Sequence, residues 1–187
     1  MRPPYWDRKQ PFRGRLGVVL ALALIVAIAL LASLFQPPAA TLAGQAEAVD
    51  GDTLRFGPTR VRLVGLDAPE LDQTCIDANG DEWTCGTKAK VFVAALVRGG
   101  ATTCVASGRD RYGRVLAKCT VSNLDVGDAI VAAGWAVADF DYAVTEAAAR
   151  IARRGIWAGR FERPADWRRD HGNEAPGLWE WIRAWFH

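Results

Sequence analysis

Two histidines, His171 and His187, are all the imidazole this chain has, and both lie in a polar C-terminal stretch. Its four cysteines include no two that stand two to four residues apart. The paired ligands of a zinc finger are therefore missing, which argues against a structural zinc site. A strongly basic balance is missing as well. The formal net charge is +2, yet Arg2, Arg8, Lys9, Arg13 and Arg15 against Asp7 supply four net positive charges before the first long apolar run. From Gln45 onward 18 Lys and Arg face 20 Asp and Glu, so that part of the chain stands near −2. Such a domain has no long-range positive field to draw in a polyanion. If it acts on one, local arginines and a bound cation must supply the attraction.

From Leu16 to Phe35 it is charge that is absent altogether. Twenty residues of mostly Leu, Ala, Val and Ile are broken only by Gly17 and Ser33. As a helix they would extend about 30 Å, the thickness of a bilayer's hydrocarbon. The flank before the run, residues 1–15, is basic and the flank after it, Gln36-Pro37-Pro38-Ala39-Ala40, is not. The positive-inside rule then keeps the N-terminus cytoplasmic and exports the rest, giving a single-pass membrane protein with a periplasmic or extracellular domain. The alternative is a signal peptide cleaved near Thr41-Leu42-Ala43, which would release a secreted protein. Residues 36–45 read as a Pro- and Ala-rich spacer. Of the 187 residues, about 140 then remain, enough for one hydrophobic core and too few for a second catalytic domain.

Four cysteines in an exported domain argue for two disulfides, with three pairings formally open. Cys104 and Cys119 stand at equal distance from the middle of the polar Arg109–Arg114 stretch, as facing residues of an antiparallel hairpin do. The expected bridges are Cys104–Cys119 and, by remainder, Cys75–Cys85.

Alternation and turn residues predict strands at Ala46–Val49, Thr53–Phe56 and Arg60–Leu66, with Gly57-Pro58 turning the second into the third. From Lys88 the apolar period becomes helical through Ala89, Phe92, Val93, Leu96 and Val97 and stops at Gly99-Gly100. Strands at Ala101–Ser107 and Arg114–Val121 follow, then helices at Val126–Ala133 and Thr145–Arg154. This order predicts an α+β, mainly β domain over residues 46–170: a five-stranded, partly open Greek-key barrel of the OB type with about three packed helices, preceded by one transmembrane helix.

Three blocks carry the chemistry: Val49-Asp50-Gly51-Asp52-Thr53, Arg62 with Asp67-Ala68-Pro69-Glu70, and Asp110-Arg111-Tyr112-Gly113-Arg114. Asp52 opens one strand and Asp67 ends another. Two carboxylates brought together there suit a hard divalent cation such as Ca²⁺, with the carbonyl of Ala68 as a third ligand. Glu70, three residues on, is placed to take a proton from water. Arg62 and Arg114 are placed to bind a phosphate from two sides. Each block alone is a common turn or strand exit; their joint order and spacing point to phosphodiester hydrolysis.

These blocks, with Gly134-Trp135-Ala136 and Gly155-Ile156-Trp157, resemble the staphylococcal-nuclease-like (thermonuclease) family over about Ala46 to Arg168. The resemblance implies a Ca²⁺-dependent endonuclease that hydrolyses DNA and RNA to 3′-phosphate ends. It places one calcium ion on Asp52, Asp67 and the carbonyl of Ala68, catalytic arginines at Arg62 and Arg114, and the catalytic glutamate at Glu70. It also makes Asp50 a supporting carboxylate and Arg111, Tyr112 and Tyr142 nucleotide contacts. Where the family carries a threonine after the second aspartate, this chain has Ala68, which keeps the carbonyl and loses the hydroxyl.

With so little positive charge, substrate binding is expected to be weak, salt-sensitive and confined to Arg62, Arg109, Arg111 and Arg114, with single strands preferred and the protein a monomer. The acidic insert between Cys75 and Cys85 either excludes long substrates or is a solvated loop. In the Trp-rich tail, residues 171–187, Leu178, Trp181, Ile182 and Trp185 recur at helical spacing; that face packs on the domain, lies in a membrane interface or meets a partner. The rival to an enzyme is the same barrel used as a non-catalytic module that binds single-stranded nucleic acid or protein at the cell surface.

Overall fold

The computed structural model describes residues 12–34 and 40–171, with side chains in the first segment from 17 to 31. The N-terminal basic segment before residue 12, residues 35–39 of the spacer and the tryptophan-rich tail beyond His171 lie outside the described residues. The first segment is one helix, α1 (Phe12–Leu34). Among the described residues no helix is long and apolar enough to cross a membrane.

The second unit, from Ala39 onward, is built on strands β1 (Thr41–Gly44), β2 (Glu47–Ala48), β3 (Thr53–Phe56), β4 (Thr59–Leu63) and β5 (Leu66–Asp67). A small hairpin β6 (Cys75–Ile76) and β7 (Glu82–Trp83) leads into α2 (Cys85–Val97). Then come β8 (Thr102–Arg109), β9 (Val115–Val121), β10 (Leu124–Asp125), α3 (Val126–Ala132), β11 (Val137–Ala138), α4 (Ala143–Ile151) and α5 (Pro164–His171). The main sheet runs β1-β8-β9-β4-β3-β2, with β10 beside β9. It is a curled, half-closed sheet with helices against it, a mixed α+β and mainly β fold consistent with the OB type.

Sequence alternation explains which face is inside. Along β9, Val115, Ala117, Cys119 and Val121 are buried while Lys118 and Thr120 are exposed, and Val61 and Leu63 do the same on β4. On α2, Cys85, Ala89, Val93 and Val97 recur every four residues and are buried, forming the stripe that covers the sheet. Asp125 caps α3 by accepting from the Asp128 N–H at 3.0 Å. Both disulfides form as expected, Cys75–Cys85 and Cys104–Cys119. The second joins directly opposed residues of the β8–β9 hairpin.

Three expectations need correction. Thr41–Gly44, placed in the spacer, is strand β1 and pairs with β8 at Leu42↔Cys104; it satisfies backbone groups that would otherwise line an open sheet edge. The strand expected at Ala46–Val49 is only Glu47–Ala48. The strand expected to run through to Leu66 stops at Leu63, and Gly65 (φ 86°) swings the chain so that Leu66–Asp67 leave the sheet and pair with β11. Glycine is required there, because an added Cβ would meet the Tyr142 ring at 2.9 Å. A helix at Pro164–His171, α5, joins those expected.

Candidate active site

The sheet register brings the first two blocks together. Thr53 on β3 faces Arg62 on β4, which sets Asp52, one residue earlier, within reach of that arginine. The detour at Gly65 returns Asp67 to the same guanidinium. Arg62 Nη1 donates to Asp52 Oδ1 at 3.2 Å, and its Nη2 lies 3.0 Å from Asp52 Oδ2 and 2.8 Å from Asp67 Oδ1. One arginine therefore spans the two aspartates that the sequence assigns to a cation.

The glycine of the Asp50-Gly51-Asp52 turn is set by packing. A Cβ on Gly51 would come 2.6 Å from Ala68 Cβ and 3.0 Å from Ala89 Cβ. Only glycine lets this turn lie against Ala68. The Asp50 carboxylate closes the turn by accepting from the Asp52 N–H at 3.0 Å. Asp52 itself is 4% exposed. Burial pushes its carboxyl from 3.8 up to about 7; Arg62 and the Thr53 hydroxyl pull it down, while Asp50 and Asp67 push it up.

Glu70 is fixed through its backbone. Its N–H donates to Gln73 Oε1 at 3.1 Å, and the Gln73 amide donates in turn to the Glu162 carbonyl at 2.7 Å. Helix α2 begins so close that a Cβ on Gly86 would overlap the Glu70 carbonyl oxygen at 1.6 Å. The Glu70 carboxylate accepts from Arg168 Nη1 at 2.7 Å, and Arg168 also reaches Asp67 through Nη1 to Oδ1 at 3.0 Å and Nη2 to Oδ2 at 2.9 Å.

The opposite wall is the β8–β9 hairpin tip. The parallel pairing of β4 with β9 sets Val61 against Val115, so Arg114 lies beside Arg60. Asp110 holds the tip: its Oδ1 accepts from the Tyr112 and Arg114 N–H groups at 2.9 Å and its Oδ2 from Arg114 Nε at 2.7 Å. Desolvation raises the Asp110 carboxyl, and these hydrogen bonds outweigh it, holding the group below its ordinary range. Arg111 stacks over Tyr112 at 4.8 Å from the ring centroid.

Between the walls lies a cavity of about 1100 Å³. Asp50, Asp52, Arg62, Ala68, Glu70, Arg111, Tyr112 and Arg114 line it, as the sequence leads one to expect, and Asp67 joins them through Arg62. Arg60, Arg168 and Arg169 line it too, and sequence reasoning missed all three. Arg109 does not; it donates to the Gly113 carbonyl and lines a smaller neighbouring hollow.

Tyr142, expected as a nucleotide contact, is a correction. It is 7% exposed, packs on Gly65 and Gly127, and donates to Asp125 at 3.1 and 3.2 Å. Burial and the Asp125 charge push its phenol upward, so it stays a donor. It supports the β5 detour and is not among the residues that line the cavity.

The donors at the rim fit a hard cation in kind: two carboxylates and the carbonyl of Ala68, all oxygen. No group of three or more His, Cys, Asp or Glu gathers as a ready cage among the described residues. Water must therefore complete any coordination shell, and the Arg62 and Arg168 contacts on Asp67 share its oxygens.

Residues 60–159 match the family described as staphylococcal nuclease homologue. Over 163 residues the chain is 34% identical to the succinoglycan biosynthesis protein ExoI of Rhizobium meliloti (strain 1021), covering 83% of this chain and 85% of that protein. It is 31% identical over 121 residues to the probable staphylococcal-like nuclease CAN2 of Oryza sativa subsp. japonica, covering 61% of this chain and 30% of the other. To endonuclease YhcR of Bacillus subtilis (strain 168) it is 32% identical over 130 residues, covering 58% of this chain and 11% of that one. Arg62, Asp67, Ala68, Glu70 and Arg114 fall inside the matched range, Asp52 before it and Arg168 after it. With that match and this site, the chain belongs to the staphylococcal nuclease homologue family.

Proposed function

We propose that the chain is a nuclease that hydrolyses phosphodiester bonds of DNA or RNA with Ca²⁺ at the cavity between the Asp52 turn and the β8–β9 tip. The observation that carries this reading is the single guanidinium of Arg62 joining Asp52 to Asp67, with Glu70 and Arg114 on the walls of the same cavity. Asp52, Asp67 and the Ala68 carbonyl would hold the cation, which when bound neutralises phosphate charge and polarises water.

The chain's own residues account for the remaining steps. Glu70 takes a proton from the attacking water as its oxygen bonds to phosphorus. The bond from phosphorus to the 5′ oxygen breaks in that displacement, and the departing oxygen takes a proton from solvent water, leaving a 3′-phosphate and a 5′-hydroxyl. Arg62 and Arg114 hold the phosphate oxygens as charge builds. Arg114 is held in place for this by Asp110, while Tyr112 offers an exposed ring on which a base can stack. That wall suits an unpaired strand, so the proposed substrate is single-stranded, taken by a monomer.

The uncharged, mostly apolar run at Leu16–Phe35 and its basic flank support a membrane anchor with the domain on the outer side, periplasmic or extracellular; signal cleavage and secretion is the alternative. The second reading, a module that binds without cutting, draws on Arg168, which holds both Asp67 and Glu70. The deciding experiment incubates the purified chain with single-stranded DNA and RNA, with Ca²⁺ or with chelator, alongside Glu70→Gln and Arg114→Ala. Calcium-dependent cleavage that the variants lose supports hydrolysis; equal activity in parent and variants overturns the roles. Binding without cleavage under every condition favours the module.

A further inference from the structure

Arg168 lies outside the family match and nearly a hundred residues from its partners, yet the fold is built to deliver it. Its helix, α5, starts after a segment tied to the Glu70 loop at two points. The Ile76 and Arg160 backbones exchange hydrogen bonds of 2.8 Å in both directions. Gln73, fully buried, clamps the Glu70 N–H with one end of its amide and the Glu162 carbonyl with the other. The Cys75–Cys85 bridge holds the same loop to the start of α2. Pro164 is buried at the first turn of α5. Arg168, one helical turn on, then places its fork across two carboxylates, bidentate on Asp67 and shared with Glu70. Its neighbour Arg169 pairs with Asp166 instead.

We propose that Arg168 is a positioning residue of the site, its guanidinium fixing Glu70 relative to Asp67 so that α5 is part of the hydrolytic apparatus. This rests on the hydrolysis proposed above. A planar fork can hold two carboxylates in one arrangement, which an ammonium on a flexible stem cannot. Glu70 has no other side-chain partner among the described residues, so without Arg168 its carboxylate is free to turn away from the water it must deprotonate. Arg168 also places a positive charge on Asp67, which opposes a cation there. The two effects have opposite signs, and that separates positioning from mere occupation of the site.

The test uses the whole chain as parent, Arg168→Ala, Arg168→Lys and, as control, Arg163→Ala at an exposed arginine outside the cavity lining, with two readouts. The first is calorimetric titration with Ca²⁺ alone. Losing the opposing charge should tighten Ca²⁺ binding by about tenfold in Arg168→Ala, while Arg168→Lys and Arg163→Ala stay near the parent. The second is cleavage of a single-stranded oligodeoxynucleotide at saturating Ca²⁺. There kcat should fall by about 30- to 100-fold in Arg168→Ala with KM nearly unchanged, because a displaced base is lost while binding is kept. Arg168→Lys should recover little of that loss, and Arg163→Ala should match the parent.

Unchanged kcat in Arg168→Ala would show Arg168 to be only a competitor of the cation and would overturn the proposal. So would full rescue by lysine, or a loss confined to KM. If Arg168→Ala fails to fold, Arg168→Lys, which keeps the aliphatic stem, decides the matter by its kcat. A parent inactive with every cation tried would sink the hydrolytic reading itself, and with it catalytic positioning; an unchanged Ca²⁺ affinity in Arg168→Ala would then also remove the contact with Asp67.

Discussion

Asp52→Asn should lose less stability than the parent as pH rises to neutral, while abolishing what the protein is proposed to do. Asp52 is buried, and its carboxyl is pushed from 3.8 up to about 7 in the folded chain. Because the folded state holds that proton more tightly than the unfolded state, the stability it contributes is complete below pH 3.8 and is lost as pH rises through about 7. At about 1.4 kcal/mol per pH unit, this interval amounts to about 4 kcal/mol of pH-dependent stability. Asparagine keeps the shape and cannot titrate, so the variant's profile lacks this fall. Urea unfolding in chelator, with disulfides intact, should show the variant gaining on the parent by about 4 kcal/mol between pH 3.5 and pH 8, whatever fixed offset the substitution brings. Saturating Ca²⁺ at pH 8 should restore much of the parent's stability and leave the variant's unchanged. Parallel profiles for the two proteins would refute the reasoning, since they would mean that Asp52 is not held as a reluctant carboxylate.

Much of this site was legible because its parts are local. Arg62, Asp67 and Glu70 lie within nine residues of one another, and alternation on β4 fixes which way Arg62 points. Cys104 and Cys119 were paired by symmetry about the hairpin tip, and the register puts them directly opposite. What was not legible depends on long-range packing. Arg168 meets Asp67 and Glu70 across separations of 101 and 98 residues, and nothing in Trp167-Arg168-Arg169 distinguishes the arginine that meets those carboxylates from its neighbour. Tyr142 was read as a ligand contact because a tyrosine's apolar ring and polar tip serve either role; the glycines at 65 and 127 that receive its ring decide for the core. Thr41–Gly44 carries no strand signal of its own and becomes β1 only because β8 offers it an edge.

Four more outcomes are expected. Gly51→Ala should destabilise the chain by about 1–3 kcal/mol and weaken Ca²⁺ binding, because the new methyl drives the Asp52 turn off Ala68; calorimetry and urea unfolding check both. Tyr142→Phe should cost about 1 kcal/mol for the lost hydrogen bond to Asp125 and leave kcat and KM unchanged, which a nucleotide contact would not do. Replacing Cys104 and Cys119 together by alanine should lower stability by about 3 kcal/mol, the loop-closure value for a fifteen-residue separation. The last concerns salt. Six arginines line the cavity, but Arg62, Arg114, Arg168 and Arg169 are already paired with carboxylates, leaving Arg60 and Arg111 without such a partner among the described residues. Counterion release then comes from about two phosphates, so log affinity for a single-stranded oligonucleotide should fall against log salt with a slope of about −1.4. Engagement of all six would make it about −4. A slope that steep, measured by fluorescence anisotropy with Glu70→Gln to prevent cleavage, would mean that substrate opens the ion pairs as it binds, and that the near-neutral domain conceals a basic cleft which its own carboxylates close.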